Sequence, residues 1–223
     1  MSTPTQTSLF SRILRVMKLY LSSQGFGNHL DRLKQMVGSD KRVLFVDNAK
    51  DYLPADERAE HVAEKKTEFE AEGFEFYELD LRNYFRSPAT LKPIVEAANF
   101  VFVFGGNTFV LRRAFRYSGF DDLLVNALKN TNMTYAGSSA GSIVMTKTLH
   151  GADDIDSPYI VPEGYKEEII WDGLGLIYPQ LVPHYSGGSD AMVDYFEANN
   201  MKYETLRDGE VYVVDGKYEE KLT

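Results

Sequence analysis

Five short apolar-rich runs, at residues 18–22, 42–47, 74–79, 99–104 and 133–136, alternate with stretches whose apolar residues recur at helical spacing. This alternation limits the fold more than any other feature. The runs at 42–47 (Arg-Val-Leu-Phe-Val-Asp) and 99–104 are nearly continuous in apolar residues, as a strand buried on both faces requires. Helices are expected at 28–37, at 55–73 with Gly73 as its stop, and at 88–98, 107–117, 120–129 and 142–149. Strands alternating with helices of this length read as βαβ units. The expected fold is therefore α/β, a three-layer sandwich with a mostly parallel central sheet. Beyond Gly151 the regularity falls. Residues 153–164 read as loop and 190–199 as a helix. Residues 210–214 and 217–220 read as a closing hairpin across the turn pair Asp215-Gly216.

With 223 residues and no repeat or linker, one domain is expected over 17–223. Residues 1–16 are then an extension. The alternative is a short basic amphipathic helix at a membrane or partner, since Leu9, Phe10, Ile13, Leu14 and Met17 recur at helical spacing among Arg12, Arg15 and Lys18. A signal peptide fits badly, for want of an unbroken apolar core and a small-residue cleavage site. No apolar run approaches the roughly 20 residues that cross a bilayer. The net charge is −9 and the only basic clusters are pairs such as Arg112-Arg113 and Lys65-Lys66. Nucleic acid is therefore not an expected partner. The chain has no cysteine, which excludes a thiolate nucleophile, a disulfide scaffold and Cys-ligated metal, and fits a reducing, cytoplasmic location.

The sharpest motif is Gly137-Ser138-Ser139-Ala140-Gly141, a G-x-S-x-G sequence between an expected strand and an expected helix. In that context a tight turn lifts the central side chain above the sheet, and the helix start behind it offers free N–H groups. Ser139 is then a nucleophile and the Ala140 N–H an oxyanion donor. Ser138 is a compositional rival, and a Gly/Ser cluster can also be no more than a loop. Gly105-Gly106-Asn107-Thr108 follows the fourth strand, so both glycine clusters fall at one sheet edge, where sites form in open parallel sheets. The Gly105-Gly106 backbone can supply a second oxyanion N–H, and Asn107 can cap the next helix. A phosphate loop is the weaker reading, because neither Walker spacing nor a full G-x-G-x-x-G is present. Of the four histidines, His61 reads as solvated surface, His29 as surface or cap, and His150 as the cationic end of a helix. His184, between an apolar strand-like segment and Gly187-Gly188, stands where a general base would sit.

Phe104-Gly105-Gly106-Asn107-Thr108-Phe109, then 137–141, then Pro183-His184-Tyr185 resemble the aspartyl dipeptidase (peptidase E) family of serine peptidases, with cyanophycinase more distant. The opening strand and Trp171-Asp172-Gly173-Leu174-Gly175-Leu176 also match, so the resemblance spans roughly 17 to 216. It implies a fold similar to class I glutamine amidotransferases and flavodoxin. It also implies Ser139 as nucleophile, His184 as base, Asp154 as acid with Asp153 and Asp156 as rivals, and Gly106 as second oxyanion donor. No metal or cofactor is implied. The expected substrate is a short peptide, the expected partners are neither nucleic acid nor membrane, and the chain is expected as monomer or homodimer. One departure stands out. The family recognises an aspartyl side chain through a basic residue beyond the histidine, yet residues 186–200 contain no Arg, Lys or His, and do contain Asp190, Asp194 and Glu197. Strict aspartyl specificity is not expected. An esterase with the same triad and a non-catalytic binding protein on the same scaffold are the competing readings.

Overall fold

The computed structural model describes residues 17–188 and 190–223. The extension or amphipathic helix expected at 1–16 lies outside the described residues. The strands are β1 (Lys18–Ser22), β2 (Arg42–Val46), β3 (Glu75–Glu78), β4 (Phe100–Val103), β5 (Thr134–Ser138), β6 (Gln180–Val182), β7 (Tyr203–Thr205), β8 (Val211–Asp215) and β9 (Tyr218–Leu222). Seven of them form one sheet in the order β3-β2-β4-β5-β1-β8-β9. β1 to β5 pair in parallel with one another, and β8 and β9 add an antiparallel flank. The mostly parallel α/β sheet expected from the sequence is the one observed.

The two-residue period of a strand explains how the sheet is buried on both faces. Leu19, Leu21, Val101 and Val103 enter one apolar cluster, while Tyr20, Phe100 and Phe102 enter the other. Helices α1 (Leu30–Val37) and α2 (Ala55–Ala71) cover the second face with Leu33, Met36, Val62 and Phe69. Helices α3 (Lys92–Glu96), α4 (Thr108–Ser118) and α5 (Phe120–Asn130) cover the first with Val95, Val110, Leu111, Leu124 and Leu128. Arg112 and Arg113, the basic pair of the sequence, are both buried in α4. Arg112 pairs with Asp121 at 3.0 Å, and Arg113 donates to the carbonyls of Pro158, Ile160 and Glu168. Among the described residues no helix is long and apolar enough to cross a membrane.

Two expected helices are corrected. The 88–98 segment divides into a 3-10 turn, Pro88–Thr90, and α3, with Pro93 in the first turn of α3, where a missing N–H costs nothing. The helix after the serine motif, expected over 142–149, is a single turn, α6 (Ala140–Ile143). Residues 171–177 run beside 144–149 and capture its backbone: Leu149 N–H donates to Trp171 O at 2.7 Å, and Leu174 and Leu176 N–H donate to Val144 and Met145 O. Those competing bonds replace the helical ladder. The hairpin of β8 and β9 forms as expected, with Gly216 at φ 65 in its turn. Residues 203–205 form a strand that no local apolar pattern announces. There β7 pairs in parallel with β6 after the crossover helix α7 (Ala191–Ala198).

Gly141 packs β4 against the serine turn. A Cβ there would stand 2.3 Å from the Val103 carbonyl oxygen, in the sheet backbone, where nothing can yield. Gly141→Ala is expected to cost about 3 kcal/mol, the upper part of the range for overpacking. A urea melt in which Gly141→Ala unfolds with the parent midpoint would contradict that packing.

Candidate active site

Ser139 sits between β5 and α6 at φ 52 and ψ −112, a conformation that costs a side chain free energy and must be imposed by its surroundings. The restraints are visible. Ser139 N–H donates to Ser22 O at 3.1 Å, and its carbonyl accepts from the N–H groups of Ser142 and Ile143. Ser142 Oγ donates to Ser22 O and Gly137 O at 2.8 and 2.9 Å, and Tyr135 Oη donates to Gly141 O. Gly105, at the end of β4, lies against the other side of the serine. A Cβ on it would come within 2.9 Å of Ser139 Cβ, so only glycine lets the two glycine clusters meet. Ser138 is buried and its Oγ accepts from Gly25 N–H, which leaves Ser139 as the hydroxyl that faces out.

His184 reaches that hydroxyl. Its Nε2 lies 3.0 Å from Ser139 Oγ and its Nδ1 lies 2.7 Å from Asp208 Oδ1. With Nδ1–H donating to the carboxylate, Nε2 is the acceptor for the serine O–H. His184 itself is at φ 57. Its N–H donates to Ser23 Oγ at 2.7 Å, and Ser23 Oγ donates to Asp208 Oδ1 at 2.9 Å, so one hydroxyl at the end of β1 holds both partners.

The carboxylate on the histidine is therefore Asp208, not Asp154 as the resemblance implied. β6 and β7 lie side by side, with Val182 opposite Thr205, and Tyr185 N–H extends the pairing to Leu206 O. The residues that follow each strand, His184 and Asp208, are thereby delivered to one place. The 207–210 loop is drawn in by Ser23 N–H on Glu210 O and Asn28 N–H on Gly209 O. Asp154 is exposed, and Asp153 Oδ1 accepts from Gly151 N–H. Asp156 accepts from Thr108 N–H at 2.9 Å and Thr108 Oγ1 at 2.5 Å, at the start of α4. Burial pushes the Asp156 carboxyl above its ordinary value, against the opposing pull of Thr108, His184 and Lys50. Asn107 caps α4 as expected, accepting from the N–H groups of Phe109 and Val110.

Two backbone N–H groups belong to the two glycine clusters that meet at Ser139. Among the described residues neither the Ala140 N–H, at the start of α6, nor the Gly106 N–H has an acceptor. The first N–H groups of a helix have no partner within it, which makes such positions anion acceptors. The other histidines do not join the site. His150 stacks on Trp171 with ring centroids 4.2 Å apart. His29 stands at the start of α1 without a side-chain capping bond. His61, read from the sequence as solvated surface, is instead half-buried, with Nδ1 3.0 Å from the buried Asp47 Oδ2 and its ring against Phe104.

Ser23 and Asp208 were missed in the sequence. Asp208-Gly209 resembles an ordinary turn pair, and Ser23 an ordinary strand end. Neither carries a local mark of its histidine partner.

A parallel α/β sheet carrying a serine on a strained strand-to-helix turn, in contact with a histidine–carboxylate pair, is the architecture of the serine hydrolases. Within that class the chain belongs to peptidase family S51, whose sequence model matches residues 20–218. Peptidase E of Streptomyces coelicolor is 29% identical over 133 residues, 55% of this chain and 51% of that protein. A Drosophila melanogaster protein named "Probable alpha-aspartyl dipeptidase" is 33% identical over 88 residues, 40% of this chain and 33% of its own. The matched stretches thus span about half and one third of these two curated relatives. A Listeria monocytogenes EGD-e crystal structure bearing the peptidase E name superposes with a TM-score of 0.73 at 21% identity, covering 92% of this chain and 98% of that one. At that identity the likeness concerns the fold.

Proposed function

We propose that this protein is a serine peptidase that hydrolyses short peptides, dipeptides among them, through an acyl-enzyme. The observation that carries the reading is the Ser139 Oγ–His184 Nε2 contact of 3.0 Å on a strained turn, with Asp208 on the far side of the imidazole. Ser139 Oγ attacks the scissile carbonyl while Nε2 takes its proton. Asp208 fixes the tautomer and stabilises the imidazolium. The N–H groups of Ala140 and Gly106 receive the oxyanion. The imidazolium then returns its proton to the departing amine, and water, activated by the same nitrogen, releases the acid. The chemistry calls for no metal or cofactor, and the lack of cysteine suits a cytoplasmic setting.

Membership of family S51 and the names of the relatives support a dipeptidase. Strict aspartyl specificity is not part of the reading. The 186–200 segment carries no cation, and its Asp190 is committed to capping α7 through the N–H groups of Met192 and Val193. Two measurements test the proposal. A fluorophosphonate is expected to modify Ser139, located by mass spectrometry, and a dipeptide panel is expected to show hydrolysis with no advantage for N-terminal aspartate. Modification at another residue, or a panel cleaved only after aspartate, would refute the respective part.

A further inference from the structure

Lys50 ends the 3-10 turn Asn48–Lys50 that follows β2, and its Nζ donates to the carbonyl oxygen of Gly105 at 2.9 Å. The ammonium is partly buried and lies 5.5 Å from the centroid of the Phe104 ring. Among the described residues no carboxylate comes within ion-pair distance of it, so its one direct hydrogen-bond acceptor is a peptide carbonyl. A cation half withdrawn from water normally sits on a carboxylate. Burial lowers the Lys50 pKa, the nearby Asp47 and Asp156 favour its charged form, and Lys65 opposes it.

The acceptor is what gives the contact meaning. The Gly105 carbonyl and the Gly106 N–H are the two ends of one peptide unit. That unit is planar and trans, so its C=O and N–H point in opposite directions. Whatever holds the carbonyl therefore aims the N–H. The next residue is tied to the same turn, since Asn107 N–H donates to Ala49 O at 2.8 Å. Gly105 itself lies against Ser139, and among the described residues the Gly106 N–H has no acceptor. A glycine pair has no side chains to fix its peptide plane, and without an outside hold the plane can turn.

We propose that Lys50 is a positioning residue of the oxyanion site: its ammonium anchors the Gly105 carbonyl so that the Gly106 N–H stays directed at the space above Ser139, and its charge polarises that peptide towards a developing oxyanion. The proposal rests on the reading above, in which Gly106 receives the oxyanion. It places in the turn after β2, some 90 residues before the serine, a group on which the rate of attack depends.

The lack of cysteine makes a direct test possible. Lys50→Cys introduces a single thiol. Alkylation with bromoethylamine restores an ammonium on a side chain of lysine length, whereas iodoacetamide leaves a neutral amide. The readout is the second-order rate of fluorophosphonate modification at Ser139, whose phosphonyl oxygen takes the oxyanion position, measured beside the melting temperature of each form. Losing one oxyanion donor outright costs about 10^2- to 10^3-fold, so losing only its anchor is expected to slow Lys50→Cys by at least about tenfold. The aminoethylated form is expected to recover to near the parent rate and the amide form to stay slow, at equal melting temperatures. Equal rates in all forms, or equal recovery with either reagent, would overturn the proposal. If the parent protein itself is not modified at Ser139, the serine peptidase reading fails and this proposal falls with it. A parent that reacts while Lys50→Cys matches it defeats the Lys50 role alone. Should Lys50→Cys not fold, Lys50→Gln carries the comparison, with slowed modification at an unchanged melting temperature expected and an unchanged rate overturning.

Discussion

Ser139→Ala and His184→Ala are each expected to lower kcat for peptide hydrolysis by about a millionfold, and the double variant by no more than either alone. The reason is geometric. Ser139 Oγ and His184 Nε2 share one hydrogen bond, and in the proposed reaction the proton that leaves the oxygen passes to the nitrogen. Removing either partner removes the same step, so the losses do not add. What survives is binding together with the two backbone donors at Ala140 and Gly106, which no side-chain substitution deletes. KM should change far less than kcat. Both variants should melt near the parent temperature, because Ser139 and His184 are at the surface end of the sheet and His184 is exposed. Losses that multiply in the double variant, or a His184→Ala protein that keeps most of its activity, would mean the two groups do not act as a unit.

Asp208→Asn is expected to lower kcat by about 10^3-fold or more, and Asp154→Asn to leave it within about twofold. An asparagine at 208 keeps the shape but can offer an N–H to Nδ1, which then becomes the acceptor. The proton moves to Nε2, the wrong tautomer for taking one from Ser139. The charge that would stabilise the imidazolium is lost as well. Asp208 is about half exposed, so water competes for the pair until substrate covers it, and this places the loss below that for the serine. Among the described residues Asp154 has no comparable contact. Measured side by side, the two asparagine variants decide which carboxylate serves the histidine. A large loss at 154 with little at 208 would return the acid to the 151–156 loop.

The sheet was legible because its signal is local. A buried parallel strand needs an uninterrupted apolar run, and 42–47 and 99–104 display one whatever surrounds them. The serine turn was legible for a similar reason. Gly137 and Gly141 stand where a Cβ would strike backbone, so the pattern of small residues is forced by the turn itself. The 142–149 segment departs from the expected helix because residues 171–177, more than twenty positions later, take over its hydrogen-bonding groups. His61 departs from the expected solvated surface because the charges around it in sequence hide that its helical face turns toward Asp47 and Phe104. Ser23, Lys50 and Asp208 are ordinary residue types in ordinary places, and chain order gives no measure of their distance from position 139.

The sequence by itself determined the elements and the chemistry available: parallel strands, a nucleophile-type turn, free backbone donors at its helix start, and a histidine before a glycine-rich loop. Each of these follows from steric and hydrogen-bonding rules that act within a few residues. The tertiary structure alone decided the partnerships. Asp208 meets His184 because β6 and β7 pair in parallel, Ser23 joins them because β1 lies beside β5 and β8, and Lys50 reaches the Gly105 peptide because β2 neighbours β4. Those approaches depend on which strands are adjacent in the sheets, and adjacency is set by the packing of the whole chain.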